Sequence, residues 1–413
     1  VGDQMNVVLM MADQMRADCA GCYGNSLIRT PHLDRLAAEG TRFDAAFAQH
    51  PQCVPSRAAI LTGRYVHENG ALSNHVAMDE CEVTLGEIYR AAGYRSIGVG
   101  KLHVFDQKER AGFTDTMLCG GQNSDATSAD VLREDYKRWA KENGYWDTLQ
   151  RAYAAHAEPA YRESFQAVVS PLPAEAYIDS WVGDRAVDFI RAQDPDEPFF
   201  MFVGFPNPHN PFEPPEPYAS MYDPADMPIP ATFQCDLSAK PPHQLAYKRE
   251  GRKNIGVNYE GLGVEHLRKV IAYYYASITL VDDQVGKIMA ALEARGMLDN
   301  TVVAFVSDHG EFLGDYGLLL KPTDRYPMLY DISLRVPLIC RMPGGSRGRV
   351  ISEPVELIDL PPTLLEASGL QMPPEVQGQS LLAALTGGQV IKREFIFAEI
   401  GAVKMLRGER YKL

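Results

Sequence analysis

Five short runs, residues 5–11, 96–100, 199–205, 301–307 and 336–341, are near-continuously apolar, and helix-period stretches lie between them. A strand with one face in water alternates apolar and polar residues, so an unbroken apolar run marks a strand covered on both faces. Strands of that kind joined through helices pair in parallel, because the crossover helix carries the chain back to the same end of the sheet. The pattern predicts an α/β sandwich. Helices are expected over 31–39, 56–62, 85–92, 174–191 and 264–295. In the last of these Ile271, Tyr275, Ile278, Val281 and Val285 share one face, and Gly296 supplies the stop.

Two stretches break the alternation. Residues 132–169 are rich in Tyr, Trp and charge, and residues 206–263 are rich in proline and short of periodicity. Both read as irregular insertions that shape a substrate mouth. Residues 394–400 and 403–413 read as β segments, the start of a small β-rich C-terminal subdomain (389–413) after a catalytic domain over 1–388. The last segment looks unpaired, so the natural chain is expected to continue past Leu413.

The net charge of −14 argues against a nucleic-acid or anionic-membrane partner, since phosphate surfaces demand clustered Lys and Arg. Any anionic substrate must be attracted locally. The longest early apolar run, 7–12, is too short for a leader or a membrane span. A cytoplasmic location is favoured over a periplasmic one on that ground, with the compartment left open; so is the oligomeric state. Seven cysteines form no disulfide-scaffold or zinc spacing, and most are expected to be buried thiols. Cys19-Ala20-Gly21-Cys22 has redox spacing but no thioredoxin-like surroundings, so a redox role is set aside.

Cys53-Val54-Pro55-Ser56-Arg57 is the strongest local signal. Pro55 and Ser56 start a helix, which places Cys53 beside its positive end, where a thiolate or oxyanion is favoured. Alone, the pentapeptide would read first as a buried cysteine before a helix. Asp13-Gln14 ends the first apolar run and Asp308-His309-Gly310 ends another, at strand ends where open α/β sheets gather ligand-binding groups. Two carboxylates, an amide oxygen and an imidazole suit one divalent cation. Each acidic pair alone could be a simple helix or turn cap.

Asn6-Val7-Val8-Leu9-Met10-Met11-Ala12-Asp13-Gln14, Gly21-Cys22-Tyr23-Gly24-Asn25 and Thr30-Pro31-His32-Leu33-Asp34 open the chain. Cys53-Val54-Pro55-Ser56-Arg57, Gly100-Lys101-Leu102-His103, Pro208-His209-Asn210-Pro211-Phe212, Ser307-Asp308-His309-Gly310-Glu311 and Lys321 follow. In this order they resemble the sulfatase family, over nearly the whole chain. The resemblance implies an alkaline-phosphatase-like sandwich with a large, mostly parallel central sheet. It also implies that a maturation enzyme converts Cys53 to formylglycine. Asp13, Gln14, Asp308 and His309 would then hold one metal, with residue 53 completing the shell. Many sulfatases carry Asp where Gln14 stands and Asn where His309 stands, so calcium is the first expectation and manganese the second.

Arg57, Lys101 and Lys321 are expected to surround a sulfate group together with the metal. A hydrated aldehyde at residue 53 would attack sulfur, and His209, or alternatively Lys321, would protonate the leaving alcohol. His103 would then deprotonate the spare hydroxyl so that sulfate leaves. The substrate class is a small-molecule or saccharide sulfate ester. The nearest rival is a phosphonate monoester or phosphodiester hydrolase on the same scaffold, towards which Gln14 and His309 lean. A two-metal phosphatase lacks its additional Asp/His cluster, and a non-catalytic protein that binds sulfated ligands is the rival of another class.

Overall fold

In the computed structural model, residues 4–104, 111–120, 135–251, 259–389 and 392–413 are described; residues 132–134 and 252–258 of the two insertions, and 390 and 391 near the C-terminus, lie outside them. Strand β1 (Asn6–Ala12) is buried at every position. Its side chains divide between two cores, with Val8, Met10 and Ala12 in one and Val7, Leu9 and Met11 in the other. The unbroken apolar run thus follows from a sheet covered on both faces. One core receives Val182 and Ala186 from helix Ile178–Ala192 and Ile278, Val281 and Val285 from helix Val264–Ala294. Ile60 from helix Cys53–Thr62, Tyr89 from Leu85–Ala91 and Leu364 from Leu360–Ala367 fill the other.

The remaining strands of the main sheet are β2 (Thr41–Phe47), β3 (Arg95–Gly100), β4 (Asp115–Leu118), β5 (Phe199–Gly204), β6 (Thr301–Ser307), β7 (Arg335–Arg341), β8 (Arg349–Ile351) and β9 (Val355–Glu356). Their order is β4-β3-β5-β1-β6-β7-β2-β8, with β9 also on β2. From β4 to β6 every pairing is parallel. β7 is antiparallel to both β6 and β2, so β2 again points the same way as β6. The architecture is the alkaline-phosphatase-like sandwich with a mostly parallel sheet. A separate antiparallel ribbon, β10 (Ile396–Ile400) with β11 (Val403–Arg407), packs Ile396, Ala398 and Met405 onto the second core. No helix among the described residues is long and apolar enough to cross a membrane.

The structure departs from the expectation in several places. The last β segment, expected to be unpaired, pairs with β10 as β11. β2 lay outside the expected strands because Arg42 and Asp44 interrupt its apolar residues, and its ladder with β7 is irregular between Phe43 and Ala46. β7, expected as one more strand of the sandwich, is the reversed one. The first insertion is helical where it was read as irregular, with helices Asp135–Glu142, Trp146–Ala155 and Pro159–Glu163. Its buried residues, Tyr136 and Ala140 among them, stand at helical spacing, but dense charge around them hides the stripe. The helix expected over 174–191 breaks at Tyr177, which is extended between the turn Ala174–Ala176 and helix Ile178–Ala192. The second insertion is largely irregular as expected, apart from helix Pro242–Glu250 and short turns.

Candidate active site

β3, β5, β1 and β6 run parallel side by side, so their C-terminal ends open at one edge of the sheet. The register puts Met11 beside Gly204, Gly100 beside Gly204 and Ala12 beside Ser307. The residues that follow are therefore delivered to one place: Lys101 and His103 after β3, His209 after β5, Asp13 and Gln14 after β1, and Asp308 and His309 after β6. Gly100 is required at its position. Its φ is 85°, and a Cβ there would stand 2.2 Å from the Gly204 carbonyl oxygen. Gln14 (φ 68°) and His103 (φ 49°) adopt left-handed backbone without being glycine, a strain that the surrounding site must hold.

β2 points to the same edge and leads into helix Cys53–Thr62, whose ten residues are all buried. Cys53 is the first residue of this helix, three residues earlier than the expected start at Ser56. Arg57 lies one turn later on the same face. Ser56 Oγ donates to the Asp308 carbonyl at 2.5 Å, tying the helix start to the end of β6. The Cys53 Sγ atom stands where the formylglycine oxygen would sit. It lies 2.7 Å from Lys321 Nζ, 3.2 Å from His309 Nε2 and 3.5 Å from Asp13 Oδ1. Burial opposes ionisation of this thiol, but Lys321, His309 and Lys101 outweigh it and hold it well below its ordinary range.

Asp13, Cys53, Asp308 and His309 are all buried and offer ligand atoms within 4.8 Å of one another. Asp13 Oδ2 takes Lys101 Nζ at 2.6 Å and Arg57 Nη2 at 3.1 Å, while Oδ1 faces Cys53 and His309. Burial and Cys53 push the Asp13 carboxyl up, yet Lys101, His209 and Arg57 hold it well below the usual carboxylate range. Asp308 Oδ2 takes Arg57 Nε at 2.7 Å. His309 Nδ1 lies 2.8 Å from the Gly310 carbonyl, which can only accept, so Nδ1 carries a proton and Nε2 is the nitrogen facing the cluster, free to present its lone pair when a metal takes the place of a proton there. Gln14 Nε2 donates to Glu311, and Gln14 Oε1 is buried without a hydrogen-bond partner among the described residues. Two carboxylates, a bare imidazole nitrogen and an orphaned amide oxygen fit one divalent cation. The other such cluster among the described residues, His32, Asp282 and Asp283, sits at the start of helix Pro31–Glu39. There Asp282 accepts the His32 and Leu33 amides, which is capping.

Arg57, expected in the cradle around a sulfate, is fully buried, and its donors go to Asp13, Asp308 and the Lys101 carbonyl at 2.6 Å. The guanidinium matches two carboxylates that would otherwise repel each other, so it positions the metal cluster. Lys101 and Lys321, each 4% exposed, remain as the cations nearest the nucleophile. Burial and Lys101 lower His103; burial, Lys321 and Lys101 push His209 down to about 4. His209 Nδ1 meets the Asn210 carbonyl at 2.5 Å, which fixes its tautomer in the same way as in His309.

The family model described as Sulfatase matches residues 5–370. The chain belongs to the sulfatase family. An arylsulfatase of Clostridium perfringens is 33% identical over 95% of this chain and 81% of its own length. The multifunctional alkaline phosphatase superfamily protein PehA of Trinickia caryophylli is 30% identical over 93% of this chain and 77% of its own. Among solved structures, the phosphonate monoester hydrolase SpPMH of Silicibacter pomeroyi superposes with a TM-score of 0.81 at 26% identity, covering 99% of this chain and 86% of that one.

Several supports of this sulfatase site carry no signature in the sequence. Glu311 accepts the Leu313 N–H at 3.1 Å and the Leu320 N–H on one oxygen and holds the Gln14 amide with the other, which turns Gln14 Oε1 away from it. Its place just after Asp308-His309-Gly310 was the one available hint. Asp179 takes the Asn207 side-chain amide at 2.5 Å, and the Asn207 carbonyl accepts the Asp13 N–H at 3.1 Å. Tyr274, on the long helix, donates to the Gln14 carbonyl at 2.6 Å. His50 is fully buried, and burial with His309 nearby pushes it down to about 3. All seven cysteines are free thiols; Cys19, at 2% exposure, is pushed well up by burial, in keeping with an inert thiol.

Proposed function

We propose that the chain hydrolyses a sulfate ester to an alcohol and inorganic sulfate, with residue 53 as nucleophile after oxidation to formylglycine. The observation that carries this reading is the convergence on one buried Sγ atom of Lys321, His309 and Asp13. Asp13, Gln14, Asp308 and His309 would hold the metal, and the aldehyde and the metal together supply an activated oxygen nucleophile and charge neutralisation. Lys101 and Lys321 place positive charge where an anionic ester binds, which the net charge of −14 does not. His103, kept neutral by burial and Lys101, suits proton removal. His209 suits leaving-group protonation once a bound anion offsets the two lysines; Lys321 is the alternative donor.

Calcium is the first choice of metal and manganese the second, because three of the four protein donors are hard oxygens. Glu311→Ala frees the Gln14 amide to rotate. It is expected to weaken metal binding about 10- to 100-fold, as loss of a group that orients a ligand typically does. Calorimetric titration of calcium into the apo-protein measures this directly. The maturation motif lies inside a wholly buried helix, so the maturing enzyme is expected to meet the chain before it folds.

A second reading, phosphonate monoester hydrolysis, is favoured by the likeness to SpPMH. Matched aryl esters separate the two, since kcat/KM measures transition-state stabilisation. A higher kcat/KM for the sulfate is expected, from the Lys101 and His103 pair. A clear preference for the phosphonate would reverse the assignment.

A further inference from the structure

A cavity of about 360 Å³ lies beside the nucleophile. Gln52, which precedes Cys53, and Lys321, 2.7 Å from Sγ, are both part of its wall, so it adjoins the reacting centre, although Cys53 itself does not line it. Asn74, Asp324, Arg325 and Tyr326 wall it further out. Its polar groups are locked. Gln52 is 4% exposed; its Nε2 donates to Asp324 Oδ1 at 3.2 Å and its Oε1 accepts the Asn74 N–H at 3.4 Å. Asn74 Oδ1 in turn accepts the Val54 N–H at 3.1 Å. These bonds fix both amides and leave Asp324 Oδ2 as an acceptor and Asn74 Nδ2 as a donor for a ligand.

An acceptor and a donor set side by side match hydroxyl groups, each of which donates and accepts. Arg325 does not add free positive charge. Its guanidinium pairs with Glu250 at 2.9 Å and lies over the Tyr326 ring. With Arg325 neutralised, the Asp324 carboxylate disfavours a second anionic group on the ligand. The cationic side of the cavity is Lys321, next to the nucleophile, where the ester sulfate belongs.

We propose that this cavity receives the alcohol half of the substrate, and that Asp324 and Asn74 read its hydroxyl groups, which makes the substrate class neutral saccharides carrying a single sulfate. This rests on the sulfate-ester reading above. Asp324 and Asn74 are specificity determinants that reach the nucleophile's segment through its neighbours, Asp324 through Gln52 and Asn74 through Val54. A hydroxyl-free aryl sulfate reaches the same nucleophile without engaging them.

The test uses matured, metal-loaded enzyme and its Asp324→Ala and Asn74→Ala variants. It compares kcat/KM for a nitrophenyl sulfate, a neutral monosaccharide monosulfate and the deoxy analogues of that sugar. Asp324→Ala is expected to lower kcat/KM for the saccharide sulfate about 10- to 100-fold more than for the aryl sulfate, the loss of one or two charge-assisted hydrogen bonds. Wild-type enzyme is expected to discriminate against at least one deoxy analogue, and Asp324→Ala to lose that discrimination, which a merely structural role would not produce. Equal losses on both esters, or a wild-type preference for a saccharide with a second anionic group, would overturn the proposal while leaving the sulfate-ester reading in place. Absence of turnover with every sulfate ester would overturn both.

Discussion

Replacing Cys53 with Ala is expected to abolish turnover and leave the fold intact. The side chain is fully buried, yet the substitution removes a single heavy atom, at a packing cost of about 1 kcal/mol. Against a typical stability of about 5–15 kcal/mol, such a loss is tolerated. The chemistry has no comparable reserve. Lys321, His309 and Asp13 converge on that atom, and no other described cysteine has this surrounding. Thermal unfolding should show a small shift in Tm, and assays with any sulfate ester should show background rates. Near-normal activity in this variant would remove the nucleophile from the account.

Asp308→Asn is expected to lose the metal and the activity together. One Asp308 oxygen accepts two backbone amides, Gln14 N and His309 N, each at 2.9 Å, and the other meets Arg57. Asparagine keeps the shape but removes half of the carboxylate charge in the metal cluster, and it leaves buried Arg57 with Asp13 alone. Asp308→Asn and Asp308→Ala both break the buried ion pair with Arg57, at about 3–5 kcal/mol. Thermal unfolding of the asparagine variant therefore accompanies the metal analysis, so that loss of metal is read on folded protein. Metal analysis of the folded protein should find it empty, and added calcium should not restore turnover. A folded, metal-loaded Asp308→Asn enzyme with wild-type kcat/KM would contradict the ligand set.

The sheet was legible where a strand is buried on both faces, because double burial writes an unbroken apolar run. β1, β5 and β6 carry that run, and their C-terminal ends carry the site. β2 was not legible, since Arg42 and Asp44 break its run, and neither was the reversal of β7, because direction leaves no mark in composition. The helical insertion was hidden by charge around Tyr136 and Ala140. Within the site, residues in contiguous motifs could be named from the sequence. Arg57 was found, but its partners were not, since only the fold shows that its donors point at Asp13 and Asp308. Asp179, Tyr274 and Asp324 act across separations of about 30 to 270 residues, on Asn207, Gln14 and Gln52 respectively, and no local spacing encodes those contacts.

The central claim is that an oxidised residue 53 turns over a sulfate ester. The most direct measurement is aryl sulfate turnover across preparations in which the fraction of residue 53 carried as aldehyde, read by mass analysis of its peptide, has been varied through co-expression of a maturation enzyme. The account predicts a rate proportional to that fraction, passing through zero when all of residue 53 is cysteine. A rate independent of the aldehyde fraction would contradict it.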